Sequence, residues 1–335
     1  MLPPQAPPGF GRLHLPANVP GIHHVTAITG DVQRCVDFYV GVLGLRFIKK
    51  TVNFDVPDTY HIYFGDCLGT PGTAMTFFGW PHLPARRAGS GQLTVVAFAV
   101  PEGSLDFWSG RLRELRVDAA RSDRSATGLI EFRDPDGIQL ELVGQASDQR
   151  WVAWPGSPVD PDHQVRGFHS VGLGVREEEP TTRFLTETMG FRETGRQNGR
   201  IRFETGEGGP NALLEVLVDA QAPVGEEAVG TVHHVAWRAT DDAHQVAWRE
   251  VLVGAGRHVT PVIERKYFRS IYFREPGGVL FEIATDQPGF TVDEAPEALG
   301  SALQLPPQYE GKREDLKFNL PPIVVPTAAG SGAGR

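Results

Sequence analysis

GIHHVTAIT at residues 21–29 and TVHHVAWRA at residues 231–239 are two versions of one phrase. Each alternates apolar and polar positions and is rich in β-branched side chains, which predicts a strand. Each leads into a helical pattern. The first is DVQRCVDFYVGVLG, where Asp31 can cap the helix and Gly41 or Gly44 can end it. Strands are then expected around Thr51–Phe54, His61–Phe64 and Ala74–Phe78. The second phrase is followed by a helix over 243–256 (AHQVAWREVLVGAG) and closes with FREPGGVLFEIAT at 273–285.

Two more copies lie between these. QLTVVAFAV (92–100) leads into the helix SLDFWSGRLREL and closes with FRDPDGIQLELVG. There Asp106-Phe107-Trp108 take the place of Asp37-Phe38-Tyr39. GFHSVGLGV (167–175) leads into TTRFLTETMGF and closes with NALLEVLV. The second and fourth copies share F-R-x-P-x-G-x-x-x-E at 132–141 and 273–282. The chain therefore reads as α+β, built from four βαβββ modules, two per domain. The expected division is an N-terminal tail over 1–20, modules one and two over 21–145, a linker over 146–165 rich in Pro and Asp, modules three and four over 166–290, and a C-terminal extension over 291–335. The end of that extension, TAAGSGAGR, has the composition of a disordered segment. Its middle, LPPQYEGKREDLKFNLPPI, has enough apolar residues to pack along the body.

Composition removes several function classes. The chain has 335 residues, 40% of them hydrophobic, enough for a substantial core. Its net charge of −9 would repel a phosphate backbone, so no nucleic-acid partner is expected. No apolar run approaches the roughly 20 residues that span a bilayer. The N-terminus lacks a basic stretch followed by an apolar one, so it does not read as a signal peptide. Cys35 and Cys67 form no disulfide framework and read as small buried or half-buried residues. A cytoplasmic protein is expected.

The chemistry is carried by His23-His24 and His233-His234, which stand at equivalent places in two modules. Side chains alternate along a strand, so one histidine of each pair should face the concave side of a curved sheet. Glu282 lies on a closing strand between apolar neighbours, where a carboxylate is costly unless paired or metal-bound. Two histidines and a carboxylate form the facial triad that leaves non-haem Fe(II) with open positions. Each module has one such slot on its opening strand and one on its closing strand. Module one offers His24, then Phe77 or Phe78. Module two offers Leu93 or Thr94, then Glu141. Module three offers Ser170, preceded by His169, then Glu215. Module four offers His234 and Glu282. If modules one and four share a barrel, the slots read His, Phe, His, Glu. If three and four share one, Glu215 replaces His24, and spacing alone does not exclude this. Otherwise Glu141 and Glu215 read as structural or solvated.

GIHHVT, FYVGVLGLRFIKKTVNFD, PGTAMTFFGWP, TVHHVAW, RSIYFREPGGVLFEIATDQPGF and LPPQYE together resemble the vicinal-oxygen-chelate superfamily, and within it the hydroquinone-type ring-cleaving dioxygenases. The resemblance covers about residues 21–310, leaving out the extended N-terminus; inside it, the Arg-rich stretch 111–124 matches no motif. It implies two curved-sheet barrels and a metal held by His24, His234 and Glu282. It also implies supporting roles for His23, Thr26, His233, Arg265 and Tyr272. A phenol such as Tyr272 can donate a proton or hydrogen bond, and Arg265 can hold a phenolate or an anionic ring substituent. The implied activity is extradiol-type dioxygenation of a small aromatic, a hydroquinone or alternatively a catechol, with both atoms of O₂ entering the product. The implied cofactor is Fe(II), with Mn(II) as the alternative, and a homo-oligomer is compatible with the sequence. The rival readings are a glyoxalase-like metal-dependent isomerase and a non-enzymatic small-molecule binding protein.

Overall fold

The computed structural model describes residues 15–85, 89–125, 127–146 and 151–326. Most of the expected N-terminal tail and the segment expected to be disordered at the C-terminus lie outside the described residues. The fold is α+β. Module one runs from its opening strand Ile22–Thr29 through a helix to strands Arg46–Val52, Tyr60–Gly65 and Ala74–Gly79. Module two runs from Gln92–Pro101 through Leu105–Glu114 to Ala119–Ser122, Leu129–Arg133 and Gln139–Gln145. Module three runs from Phe168–Val175 to Arg192–Gln197, Arg200–Glu204 and Leu213–Val218. Module four runs from Val232–Ala239 through Asp242–Gly254 to Ile263–Glu264, Arg269–Arg274 and Leu280–Thr285.

In every module the closing strand returns parallel to the opening strand. The modules then join through their opening strands. Ile22–Thr29 runs antiparallel to Val232–Ala239, so modules one and four share one curved sheet. Gln92–Pro101 runs antiparallel to Phe168–Val175, so modules two and three share the other. The two sheets meet where Val232 lies opposite Leu93. The first and last modules are thereby neighbours in space.

Local chemistry sets the element ends. Asp31 accepts the backbone N–H of Arg34 and starts the first helix, which runs through Val42. Gly44 follows at φ +72°, where a Cβ would collide with Ser157 and Val159 of the linker. The shared phrase before two closing strands is a turn tied by its acid. Asp134 accepts the N–H groups of Asp136 and Ile138, and Glu275 accepts those of Gly277 and Val279.

The strand expected at Thr51–Phe54 starts earlier, at Arg46, and ends at Val52. The side chain of Asn53 accepts from the N–H groups of Asp55 and Val56, which turns the chain out of the sheet. Two consecutive lysines hide this strand from a hydropathy reading. Lys49 is fully buried, held by Asp293 and Glu294 of the C-terminal extension. That extension packs along the body as expected. Leu305, Leu316 and Leu320 are buried, and the Tyr309 hydroxyl donates to the carbonyl of Phe54. Cys35 is buried and Cys67 half-buried. Among the described residues, no helix is long and apolar enough to cross a membrane.

Candidate metal centre

The pairing of the two opening strands carries a symmetric irregularity. Ile22 faces Trp237 and His24 faces Ala236, leaving His23 as an extra residue. On the other strand Thr26 faces His234 and Ala27 faces Val232, leaving His233 as the extra residue. Each His-His pair is therefore a β-bulge, which breaks the alternation expected of a regular strand and re-aims the bulged side chain. The two rings of a pair meet instead of pointing apart. Nδ1 of His23 lies 2.9 Å from Nδ1 of His24, and Nδ1 of His233 lies 2.7 Å from Nδ1 of His234.

Glu282 faces Ala236, two residues past His234, so its side chain rises beside that ring. Glu282 Oε2 lies 2.9 Å from His234 Nε2 and 3.3 Å from His24 Nε2, and the two Nε2 atoms are 3.4 Å apart. All three side chains are buried, and Oε2 makes no hydrogen bond. A buried carboxylate oxygen between two imidazole nitrogens, hydrogen-bonded to neither, fits a divalent cation. The second oxygen, Oε1, accepts from Ser270 Oγ at 2.5 Å. Burial works against the charge on Glu282, but His24 and His234 outweigh it and hold the carboxyl well below its ordinary range. Burial also lowers His234, although Glu282 pulls the other way. His23 and His233 are each pushed down to about 3 by burial and by the neighbouring ring, which keeps them neutral. A neutral ring can accept a proton from Nδ1 of its neighbour, leaving Nε2 of His24 and of His234 free for a metal.

The other expected site residues surround the same cavity, except the two bulged rings. Thr26, Arg265 and Tyr272 line it together with Phe54, Asp55, His61, Tyr63, Phe78 and Phe268. Arg265 lies over the Tyr272 ring and pairs with Asp55 at 3.1 Å. Burial and the charge of Glu282 raise the Tyr272 hydroxyl, so it stays protonated, though Arg265 opposes them. His23 sits behind His24 against Phe268. His233 sits behind His234, edge-on to Phe78 and Trp80, with Nε2 3.8 Å from Glu227. A wider cleft of about 660 Å³ opens between Ser90, Arg176, Glu227 and Arg274, and shares only His233 with this constellation.

Two slots differ from expectation. The register that puts Glu282 two places past His234 puts Thr76, not Phe77 or Phe78, opposite Thr26, two places past His24. In module two Thr94 is the bulged residue, so Val95 stands where the ligand would be, not Leu93 or Thr94. A one-residue error is what a bulge causes when slots are counted from sequence alone.

Ser270, His61, Tyr63 and Thr76 are site residues that the sequence reading passed over. A signal for three of them was present. His61-Ile62-Tyr63-Phe64 and Ser270-Ile271-Tyr272-Phe273 are the same strand in two modules.

The fold and this constellation define the class. The Glyoxalase/Bleomycin resistance protein/Dioxygenase superfamily matches residues 21–142 and 167–283, and the chain belongs to it. Among individual relatives, the "Putative ring-cleaving dioxygenase MhqO" of Bacillus subtilis (strain 168) is 42% identical over 307 residues, which is 91% of this chain and 97% of that one. The chlorohydroquinone/hydroquinone 1,2-dioxygenase of Sphingobium indicum is 36% identical over 329 residues, covering 93% of this chain and all of that one. The crystal structure of a "putative dioxygenase" from Bacillus subtilis subsp. subtilis str. 168 superposes with a TM-score of 0.87 at 40% identity, covering 92% of this chain and 99% of that chain.

Proposed function

We propose that the protein is an Fe(II)-dependent extradiol-type dioxygenase that opens the ring of a hydroquinone, with His24, His234 and Glu282 as the metal ligands. The observation that carries the reading is the buried, hydrogen-bond-free Glu282 Oε2 between two Nε2 atoms. Bound there, Fe(II) would acidify a ring hydroxyl and bring ring and O₂ together. Mn(II) accepts the same donors. The relatives named as a putative ring-cleaving dioxygenase and a chlorohydroquinone/hydroquinone 1,2-dioxygenase, matched along nearly their whole length, support this reading over the others.

The chain's own residues prepare the site for an aromatic ring. Phe54, Phe78 and Phe268 supply apolar walls. Tyr272 keeps its proton and can donate it to an oxygen near the triad. Arg265 is already answered by Asp55, so a carboxylate on the ring would compete with a resident anion. A neutral ring with phenolic hydroxyls suits this lining better. His23 and His233 hold the ligand rings by their Nδ1 atoms, and Ser270 holds Glu282.

The isomerase reading wants more carboxylate ligands. Thr76, not an acid, stands at the closing position of module one. A passive binding protein has no use for the triad. The test is O₂ uptake by protein loaded with Fe(II) without air. Methylhydroquinone, chlorohydroquinone, catechol, and methylglyoxal with glutathione form the panel. Stoichiometric uptake with a hydroquinone, lost in His24→Ala and kept in Glu215→Ala, is expected. Uptake with catechol alone would change the substrate. Consumption of methylglyoxal without O₂ uptake would replace the reading with the isomerase.

A further inference from the structure

The sheet register exposes a second set of polar groups facing the triad. Module four presents Glu282, Tyr272 opposite it, and Ser270 two residues earlier. Module one presents, at the same three positions, Thr76, Tyr63 and His61. In module four the set holds a carboxylate. In module one it forms an unbroken hydrogen-bonded chain. The Tyr63 hydroxyl lies 2.9 Å from His61 Nδ1, His61 Nε2 lies 2.9 Å from Thr76 Oγ1, and Thr76 Oγ1 lies 2.8 Å from Thr26 Oγ1. Tyr63, His61 and Thr26 all line the cavity, so both ends of the chain open onto it.

A proton count gives this chain a property. A neutral histidine carries one N–H, and the three hydroxyls carry one proton each. Three links use three of these four protons, so one is left at an end. In one sense Tyr63 donates to His61 and the free proton sits on Thr26. In the other sense Thr26 donates towards His61 and the free proton sits on Tyr63. The switch requires His61 to exchange one ring N–H for the other, which a neutral imidazole does without becoming charged. Burial holds the His61 ring neutral.

We propose that His61 is the central member of a proton relay, Thr26–Thr76–His61–Tyr63, which takes a proton at one end of the active-site cavity and releases one at the other. A para-dihydroxylated ring matches it. Its two hydroxyls lie at opposite ends, so the hydroxyl that ionises can hand its proton to one end, while the other end returns a proton to an oxygen of the opening ring. Each passage moves one proton in and one out and leaves the chain neutral but reversed, so before the next turnover one proton, taken from water at the releasing end and given up to water at the accepting end, returns the chain to its first sense. This inference rests on the ring-cleaving reading above.

His61→Gln separates a relay from a mere support. The amide can accept from Tyr63 and donate to Thr76, but it cannot reverse. Expected with Fe(II)-loaded protein and methylhydroquinone is a fall in kcat of about 100-fold or more, within the range ascribed to positioned proton transfer. KM and iron content should stay near wild type. Tyr63→Phe should give a similar fall, and the double variant should be no slower than the worse single. The solvent deuterium isotope effect on kcat should rise in both. A second readout needs no turnover. The ¹⁵N spectrum of histidine-labelled, metal-free protein at pH 7 should show His61 with a single ring proton. An unchanged kcat in His61→Gln, effects that multiply in the double variant, or an imidazolium at His61 would each overturn the relay. If His61→Gln does not fold, Tyr63→Phe alone decides: wild-type kcat and isotope effect there would overturn it. No O₂ uptake by the wild-type protein would overturn the dioxygenase reading and the relay together. Uptake by wild type with full activity in the variants would overturn the relay alone.

Discussion

The two curved sheets are built on one plan and filled with opposite electrostatics. Both join their modules through antiparallel opening strands, and both carry a bulge before each ligand position. In the sheet of modules one and four, the bulged pairs are His23-His24 and His233-His234, and Glu282 completes a cluster that no lysine or arginine pairs with among the described residues. In the sheet of modules two and three, the pairs are Thr94-Val95 and His169-Ser170. There the closing positions hold Glu141 and Glu215, and a guanidinium takes the place of a metal. Arg124 bonds Glu141 directly, reaches Glu131 at 3.1 Å and lies 3.5 Å from Glu215. Arg200 and Arg202 complete the shell of Glu215 at 2.9 and 3.1 Å. Arg265 leaves its module from the same connection as Arg124, between the second and third strands, but pairs with Asp55 in the cavity lining rather than with Glu282. A duplicated scaffold thus keeps its buried carboxylates in both halves, answered by guanidinium groups in one and left open to a cation in the other.

The most disruptive way to break this contrast is to remove a ligand. Glu282→Gln, His24→Ala and His234→Ala should each lose bound iron and abolish O₂ uptake, whereas Glu141→Gln and Glu215→Gln should keep both. Next comes the internal cation. Arg124→Ala leaves Glu141 buried without its partner and should lower unfolding stability by about 3–5 kcal/mol, the usual cost of stripping one member of a buried pair. Urea unfolding reads this, and kcat should not change. Ser270→Ala removes the only hydrogen bond to Glu282 Oε1 among the described residues. It should weaken Fe(II) binding by about 10–100-fold, as losses around a metal ligand do. The gentlest probe is pH, read over a narrow window.

His23 and His233 are held near 3 and His169 near 4, while the unfolded chain protonates these rings near the ordinary value of 6.5. A lowered histidine contributes stability that is present above 6.5 and is lost as pH falls through that value. Each ring should therefore cost up to about 1.4 kcal/mol per pH unit between roughly 6.5 and 4. Asp134, raised to about 7 by burial, pulls the other way. Two of these three rings stand beside the triad, so the urea midpoint of metal-free protein should fall between pH 7 and 5.5, and Fe(II) should offset part of the loss.

How much of this the sequence could show depends on the kind of order involved. Repetition is visible in one dimension, so the four modules, the His-His pairs and the phrase ending in Glu282 could be read from the chain. Sheet register is not. The bulges at His23 and His233 depend on which strand lies opposite, and so does the neighbourhood of Thr76. Spacing left module pairing open. It was decided by the contact of two opening strands 210 residues apart, whose Nε2 atoms, on His24 and His234, lie 3.4 Å from each other. Lys49 shows the same limit. A buried lysine in a strand makes sense only once Asp293 and Glu294 arrive from the far end of the chain.

The contrast between the two sheets is tested most directly by iron per chain after anaerobic loading and gel filtration, in wild type, Glu282→Gln and Glu215→Gln. One iron in wild type and in Glu215→Gln, with none in Glu282→Gln, is the predicted result. Iron retained in Glu282→Gln, or lost in Glu215→Gln, would contradict the assignment of the metal to the sheet of modules one and four.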